Sequence, residues 1–420
     1  MAESQSPTPH DVEILRRLAE RKLEIAHDPL NLERKQLWYA HDAGESQRPM
    51  VLAEIGGLRD EEVPLPESAL RCESPWARSV ERGLRTEIYQ FEVLKDDHVV
   101  EPHLTTNWQV QVSGYGVEVI QHYPDSPEVK LGARRWESPI KDLDTDFAKL
   151  RPRTYTVDRQ ATFAARARLE AVFGTMLPVY IRGRFWWSMG MTWPAAELIG
   201  LEQLMLAMYD NPTGLHRLMC FLRDDHLAYA QWLEGEGLLT RNDQNDYIGS
   251  GSVGYTKALG TGHEGPARLH EQWVLLESQE TVGVSPDQFE EFILPYQLSL
   301  AGYFGRCYYG CCEPVQSRLH LIEKLPNLAR VSVAPRADQE FLAQALGERL
   351  VFSRKSDPLL VSTSIFDEEA IRAELRQTLE LACGCRVELI MKDVHTVDNH
   401  PERLPRWVQL AREVVDEYYR

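Results

Sequence analysis

Two short segments of this chain hold residue types that could do chemistry. Tyr308-Tyr309-Gly310-Cys311-Cys312-Glu313 closes one apolar run, and Lys392-Asp393-Val394-His395-Thr396 closes another. Thiolates and imidazoles are zinc ligands, while carboxylates and imidazoles serve as general acids and bases. Both runs read as strands, so the reactive groups stand where a strand ends. In an eight-stranded parallel barrel, distant strands bring their C-terminal ends to one mouth, where active sites are built. The two segments are therefore expected around a single pocket.

Asp393 and His395 are two apart, so a continuing strand would turn them to one face. The pair reads as a metal-ligating His, or as a His base oriented by a carboxylate; the structural alternative is a cap on the following loop. Cys311 and Cys312 would face opposite ways on a strand, leaving one of them in the pocket. A thiolate there suits zinc at ~2.3 Å with one exchangeable position, and the alternative is a buried thiol filling core. Tyr309 and Glu313 share the Cys311 face, and Glu313 could be a ligand, an acceptor or a helix N-terminal carboxylate. Glu277 and Glu280 could supply a further carboxylate for a metal or for acid/base work. Arg182 and Arg184 could grip a substrate carboxylate in bidentate fashion, with Trp186 and Trp187 walling an apolar pocket. Asn242 and Asp243 end another predicted strand and are substrate-binding candidates.

Composition narrows the classes. The chain has 420 residues, 43% hydrophobic and 26% charged, which is ordinary for a protein with a large core. A net charge of −18 argues against sequence-independent binding to nucleic acid or anionic membranes. Residues 1–30 are polar and lack a signal-peptide apolar region, and the apolar runs are strand-sized. A cytoplasmic protein acting on a small molecule is expected, with a homodimer as the default assembly. Seven cysteines, two of them adjacent, read as reduced thiols rather than a disulfide framework.

The elements that must position these groups follow from periodicity. Residues 9–43 carry two helical patterns separated by Asp28-Pro29, giving a helical extension over 1–45 ahead of a barrel domain over 46–420. A strand over 48–55 ends in Gly56-Gly57. Residues 87–94 and 99–110 read as extended, with Lys95-Asp96-Asp97 as a hairpin turn. Further strands are expected at 178–183, 237–243, 307–310, 329–333, 350–353 and 387–391, with helices between them. Ser285-Pro286 opens a capped helix. Six glycines within 249–266 suggest a long mobile loop of the kind that forms lids. About eight strands alternating with helices predict an α/β fold, a TIM (β/α)8 barrel with insertions.

Several segments resemble the uroporphyrinogen decarboxylase superfamily, in order, over roughly residues 165–420. They are Gly200-Leu201-Glu202 to Asp210-Asn211-Pro212, Ser285-Pro286-Asp287 to Pro295-Tyr296, Tyr309-Gly310-Cys311-Cys312, Ser356-Asp357-Pro358, and Asp393-Val394-His395 with Pro401-Glu402-Arg403-Leu404. The resemblance implies a TIM barrel with one of two chemistries. One is cofactor-free decarboxylation of a carboxylated substrate. The other is methyl transfer, with zinc activating a thiol and a corrinoid protein as possible methyl source. Ala53-Glu54-Ile55-Gly56-Gly57-Leu58-Arg59 lacks the arginine-rich loop of the decarboxylases, and Tyr309 and His395 replace two zinc ligands of the methyltransferases. A zinc site would then use Cys311 or Cys312, His395 and a carboxylate such as Glu313, Glu277 or Asp393.

Overall fold

The computed structural model describes residues 6–122, 135–183, 185, 188–260 and 265–419. The chain divides into two compact units. The first is built from Met1–Gln109, Asp158–Arg182 and Lys355–Arg420, and the second from Val110–Val157 and Gly183–Arg354. Eight strands in parallel ladders carry the argument: β1 (Met50–Ala53), β2 (Leu104–Thr106), β3 (Val179–Ile181), β4 (Trp273–Leu276), β5 (Arg306–Tyr309), β6 (Leu328–Val333), β7 (Val351–Lys355) and β8 (Arg386–Met391). Among the described residues no closed barrel forms; the class is α/β with parallel strands.

In the first unit β1 pairs in parallel with β8, from Met50 opposite Glu388 to Ala53 opposite Met391. β2 pairs in parallel with β3. Three early helices follow from their caps: α1 (Pro9–Ala26), α2 (Pro29–Ala43) and α3 (Pro75–Tyr89). Thr8, Asp28 and Ser74 each accept a backbone N–H of the first turn, and each is followed by Pro at the first helical position. Leu15 and Ala19 of α1 pack with Ala77 and Leu84 of α3, and with Val172 and Phe173 of α4 (Arg159–Phe173). The N-terminal helix is thus part of this unit's core.

The expected extended stretch over 87–94 is instead the end of α3 and a π-turn over Gln90–Leu94, closed by Lys95 at φ 57°. The apolar residues of α3 fall on one helical face, and the Ser74-Pro75 cap sets that period before the local strand propensity of 87–94 is felt. Lys95-Asp96-Asp97 is therefore a helix exit rather than a hairpin turn. Asp97 is fully buried there. It accepts two bonds from Arg48 at 2.8 Å, one from Arg412 at 2.9 Å and the Val51 N–H at 2.7 Å.

In the second unit β4, β5, β6 and β7 form a parallel ladder in sequence order. Their residues are almost all buried, as continuous apolar runs in parallel sheets are. β4 has no counterpart among the expected strands, because four apolar residues carry no alternation. Conversely, 237–243 forms no strand. Asn242 is buried and acts as a side-chain strand edge, its Oδ1 accepting Trp273 N–H at 2.7 Å and its Nδ2 donating to Trp273 O at 3.2 Å.

The glycine-rich stretch is not the expected mobile lid where it is described. Residues 250–256 are buried, and Tyr247–Gly249 pairs antiparallel with Ser252–Val253. A Cβ on Gly254 would sit 2.1 Å from Asn242 O, and one on Gly249 would sit 2.8 Å from Leu275 Cδ1. These glycines permit close packing. Gly262 lies outside the described residues. Among the described residues no helix is long and apolar enough to cross a membrane.

Candidate functional site: a carboxylate and thiol cluster at two strand ends

β4 and β5 end side by side in the second unit, Leu276 opposite Tyr309, and the residues that follow them build a polar cluster. Glu313 leaves β5 through Gly310, whose φ of 94° only glycine adopts without strain. Its carboxylate is 3% exposed. One oxygen accepts Ser278 N–H at 3.0 Å, the other Cys311 N–H at 2.9 Å, so Glu313 ties the two strand ends together. Burial is the main force on its proton and raises its pKa, with the two N–H donors working against it.

Glu277 follows β4 directly and is 4% exposed. It accepts from Ser188 Oγ at 3.0 Å and from Gln279 N–H at 3.0 Å. Burial, then the neighbouring Glu280 and Glu313 carboxylates, push its pKa up to about 8. At neutral pH Glu277 therefore carries a proton, the condition of a general acid. Thr192 Oγ1 donates to Glu280 at 2.7 Å. Gly190 approaches so closely that a Cβ would lie 2.2 Å from Glu277 O. Gln297, fully buried, donates to the same carbonyl at 2.8 Å.

Tyr309 is buried, its hydroxyl 3.0 Å from Ser278 Oγ, and burial lifts the phenol well above its ordinary range. Arg318, also buried, donates to Ser278 Oγ at 3.3 Å and to Val284 O at 3.1 Å. The two thiols form the accessible rim. β5 ends at Tyr309, so the strand alternation that would separate Cys311 from Cys312 does not apply. Their sulfurs lie 3.5 Å apart, Cys311 half-buried and Cys312 exposed.

The structure thus brings together Glu277, Tyr309, Cys311, Cys312 and Glu313. Ser188, Ser278, Thr192, Gln297 and Arg318 complete the cluster without having been singled out from sequence. Ser, Thr and Gln are too common to stand out, and only β4 beside β5 gives them a role. Asn242 is in the same unit and holds β4, while Asp243 accepts Thr256 N–H through its backbone carbonyl.

Asp393, His395 and Arg182 belong to the first unit. β8 ends at Met391, and Asp393 adopts φ 57°, so the shared-face argument for Asp393 and His395 does not hold. Asp393 is exposed and pairs with Lys392 Nζ at 3.1 Å. His395 is exposed, with Nδ1 3.2 Å from Gly57 O. Glu62, absent from the sequence candidates, fixes this loop by accepting Thr396 Oγ1 at 2.8 Å, Val397 N–H at 3.0 Å and Asn399 N–H at 2.8 Å. Arg182 is buried at the end of β3, its N–H on Thr106 O at 2.9 Å. Arg184, Trp186 and Trp187 lie outside the described residues.

Two thiolates on one tetrahedral zinc at about 2.3 Å would stand about 3.8 Å apart, so the Cys311–Cys312 pair suits two corners of such a site. Among the described residues, however, no group of three or more His, Cys, Asp or Glu is placed to hold a metal ion. Both Glu313 oxygens already accept backbone N–H groups. Cys311 and Cys312 would fill two corners of a zinc site, and the remaining ligands would have to come from outside this cluster.

Fold and site together define an α/β protein whose strand-end cluster holds a buried, proton-bearing carboxylate, Glu277, and a pair of thiols, Cys311 and Cys312. No protein-family model matches the chain, and no curated protein matches it. Among solved structures, a methyltransferase from Methanosarcina mazei is similar at 12% identity, over 92% of this chain and 98% of that one, with a TM-score of 0.49. At that identity and score the likeness carries no weight for activity.

Proposed function

We propose that this chain is a methyltransferase of the kind found in the uroporphyrinogen decarboxylase superfamily, passing a methyl group to a thiol or similar nucleophile. The observation that carries the reading is the pair of thiols, 3.5 Å apart, just after β5, in the same cluster as a carboxylate held protonated near neutral pH. The ordered sequence motifs around the same residues support it. Methyl transfer forms a bond from the methyl carbon to the accepting nucleophile as the bond to the donor breaks. Glu277 would give its proton to the departing group, which lowers the barrier when that group is a poor anion. Glu313 would hold the thiol-bearing loop through Cys311 N–H. The zinc and the corrinoid protein implied by the resemblance are part of the proposal, as is the TIM-barrel class.

The same protonated Glu277 favours a second reading, a cofactor-free lyase that decarboxylates a carboxylated substrate, with Glu277 protonating the resulting carbanion. Elemental mass spectrometry of protein expressed with ample zinc separates the two. Close to one zinc per chain, lost in a Cys311→Ala/Cys312→Ala double variant that still folds, is the expected outcome for methyl transfer. Full activity from metal-free protein, unchanged in the double variant, sinks it and leaves the lyase.

A further inference from the structure

A different constellation stands at the end of β1 in the first unit, built from residues that sequence alone reads as a turn. Asp96 is fully buried. One of its oxygens accepts Ala53 N–H, on the last residue of β1, at 3.0 Å. The same oxygen lies 2.6 Å from His98 Nδ1, and the other accepts His98 N–H at 3.1 Å. We propose that Asp96 and His98 form a proton-transfer dyad, in which His98 Nε2 exchanges a proton with a protic ligand, a hydroxyl, thiol or amine.

The geometry separates this pair from its neighbour. Asp97 spends its carboxylate on Arg48, Arg412 and Val51 N–H, and its carbonyl on Trp38 Nε1 at 2.8 Å. Those contacts lock α2, β1 and the C-terminal helix Arg403–Tyr418, and leave nothing to a ligand. Asp96 instead spends its carboxylate on one strand end and one imidazole. With Nδ1 donating to the carboxylate, the neutral ring keeps its lone pair on Nε2. That nitrogen has no hydrogen-bond partner among the described residues, and the His98 side chain retains 18% exposure. A carboxylate bonded to one ring nitrogen fixes the tautomer and stabilises the imidazolium that forms when the other nitrogen takes a proton.

The charges around His98 agree with that role. Burial disfavours the charged ring, but Asp96, with Glu54 and Asp97 beyond it, more than offsets this and raises the His98 pKa. The proton balance closes on the dyad itself. A ligand X–H gives its proton to Nε2, the imidazolium stays paired with the Asp96 carboxylate, and the proton returns on release. Glu54 N–H bonds Met391 O at 2.9 Å, so β1 and β8 end together. The loop leaving β1 lines a separate cavity of about 780 Å3 with Ile55, Gly56, Val63 and Leu65, to whose lining Asp96 and His98 do not belong.

The test uses the full-length protein and needs no assay of turnover. Carbethoxylation by diethyl pyrocarbonate attacks an unprotonated, accessible ring nitrogen and is located on His98 by peptide mass spectrometry. The expected wild-type rate rises with a midpoint above the ordinary histidine value. In Asp96→Asn the midpoint should fall by about one pH unit, a roughly tenfold gain in reactive ring on the acid side. Asn retains an acceptor for Ala53 N–H, and circular dichroism checks that the variant folds. His98→Gln identifies the His98 nitrogen signals in long-range 1H–15N spectra. Wild-type protein is then titrated with ethanethiol, ethanol and ethylamine, and movement of the His98 signals with one of them is expected. An unreactive His98 in folded protein, identical pH profiles in wild type and Asp96→Asn, or His98 signals unmoved by all three probes would overturn the proposal.

Discussion

Glu313, four residues beyond the end of β5, accepts the backbone N–H of Ser278, two residues beyond the end of β4, at 3.0 Å. Because its second oxygen holds Cys311 N–H, a single buried carboxylate sets both the spacing of two strand ends and the position of the thiol rim. Glu313→Gln keeps the shape but has one acceptor oxygen. One of the two N–H groups then faces an NH2 donor. Leaving a buried donor unmet costs about 1–3 kcal/mol, to be read from the midpoint of urea unfolding.

Glu277 makes stability depend on pH in a direction opposite to that of most carboxylates. Its folded pKa, about 8, lies above the ordinary 4.5. The sign follows from proton counts. Below pH 4.5 folded and unfolded states both hold the proton, and nothing is lost. As pH rises toward 8 the unfolded chain releases it while the folded chain keeps it, so stability falls across that window and levels off above it. Glu277→Gln removes the effect. Melting temperatures should agree near pH 4 and diverge with rising pH, the variant higher by several degrees at pH 8.5. Parallel melting curves for the two proteins at all pH values would show that Glu277 is not held protonated.

Asp97 carries the opposite sign. Burial opposes its charge, but the Arg48 and Arg412 guanidinium groups and Val51 N–H hold its pKa well below the ordinary 3.8. Its contribution is present above that value and is lost as pH falls toward the folded pKa. Asp97→Asn leaves two arginines without their anion, and breaking such a buried pair costs about 3–5 kcal/mol. Guanidinium unfolding at pH 7 should show a loss of that size, and the loss should shrink as the wild type is acidified.

How much of this was legible beforehand varies by residue. Ser285 and Pro286 announce their helix, because a cap and a proline at the first helical position act within four residues. The strands ending at Tyr309 and Met391 were readable as apolar runs, and so was the presence of thiols and carboxylates just after them. The pairing of Asp393 with His395 on one face was not. It assumed a continuing strand, and the left-handed turn at Asp393 ended it. Lys95-Asp96-Asp97 reads locally as a turn, and only the packing of α2, β1 and the last helix makes one aspartate a structural anion and the other an imidazole partner.

The amino-acid order by itself determined the parallel α/β class and the places where reactive side chains cluster, because periodicity, caps and strand-ending residues act over a few positions. Only the tertiary structure decided which carboxylates would be stripped of water and which would meet a cation. Glu277 and Asp97 are both buried acids. One keeps its proton beside Glu280 and Glu313, and the other gives it up between Arg48 and Arg412. Burial, and with it charges such as Glu313 beside Glu277 and Arg48 and Arg412 beside Asp97, come from residues tens to hundreds of positions away, and those quantities set what a carboxylate can do.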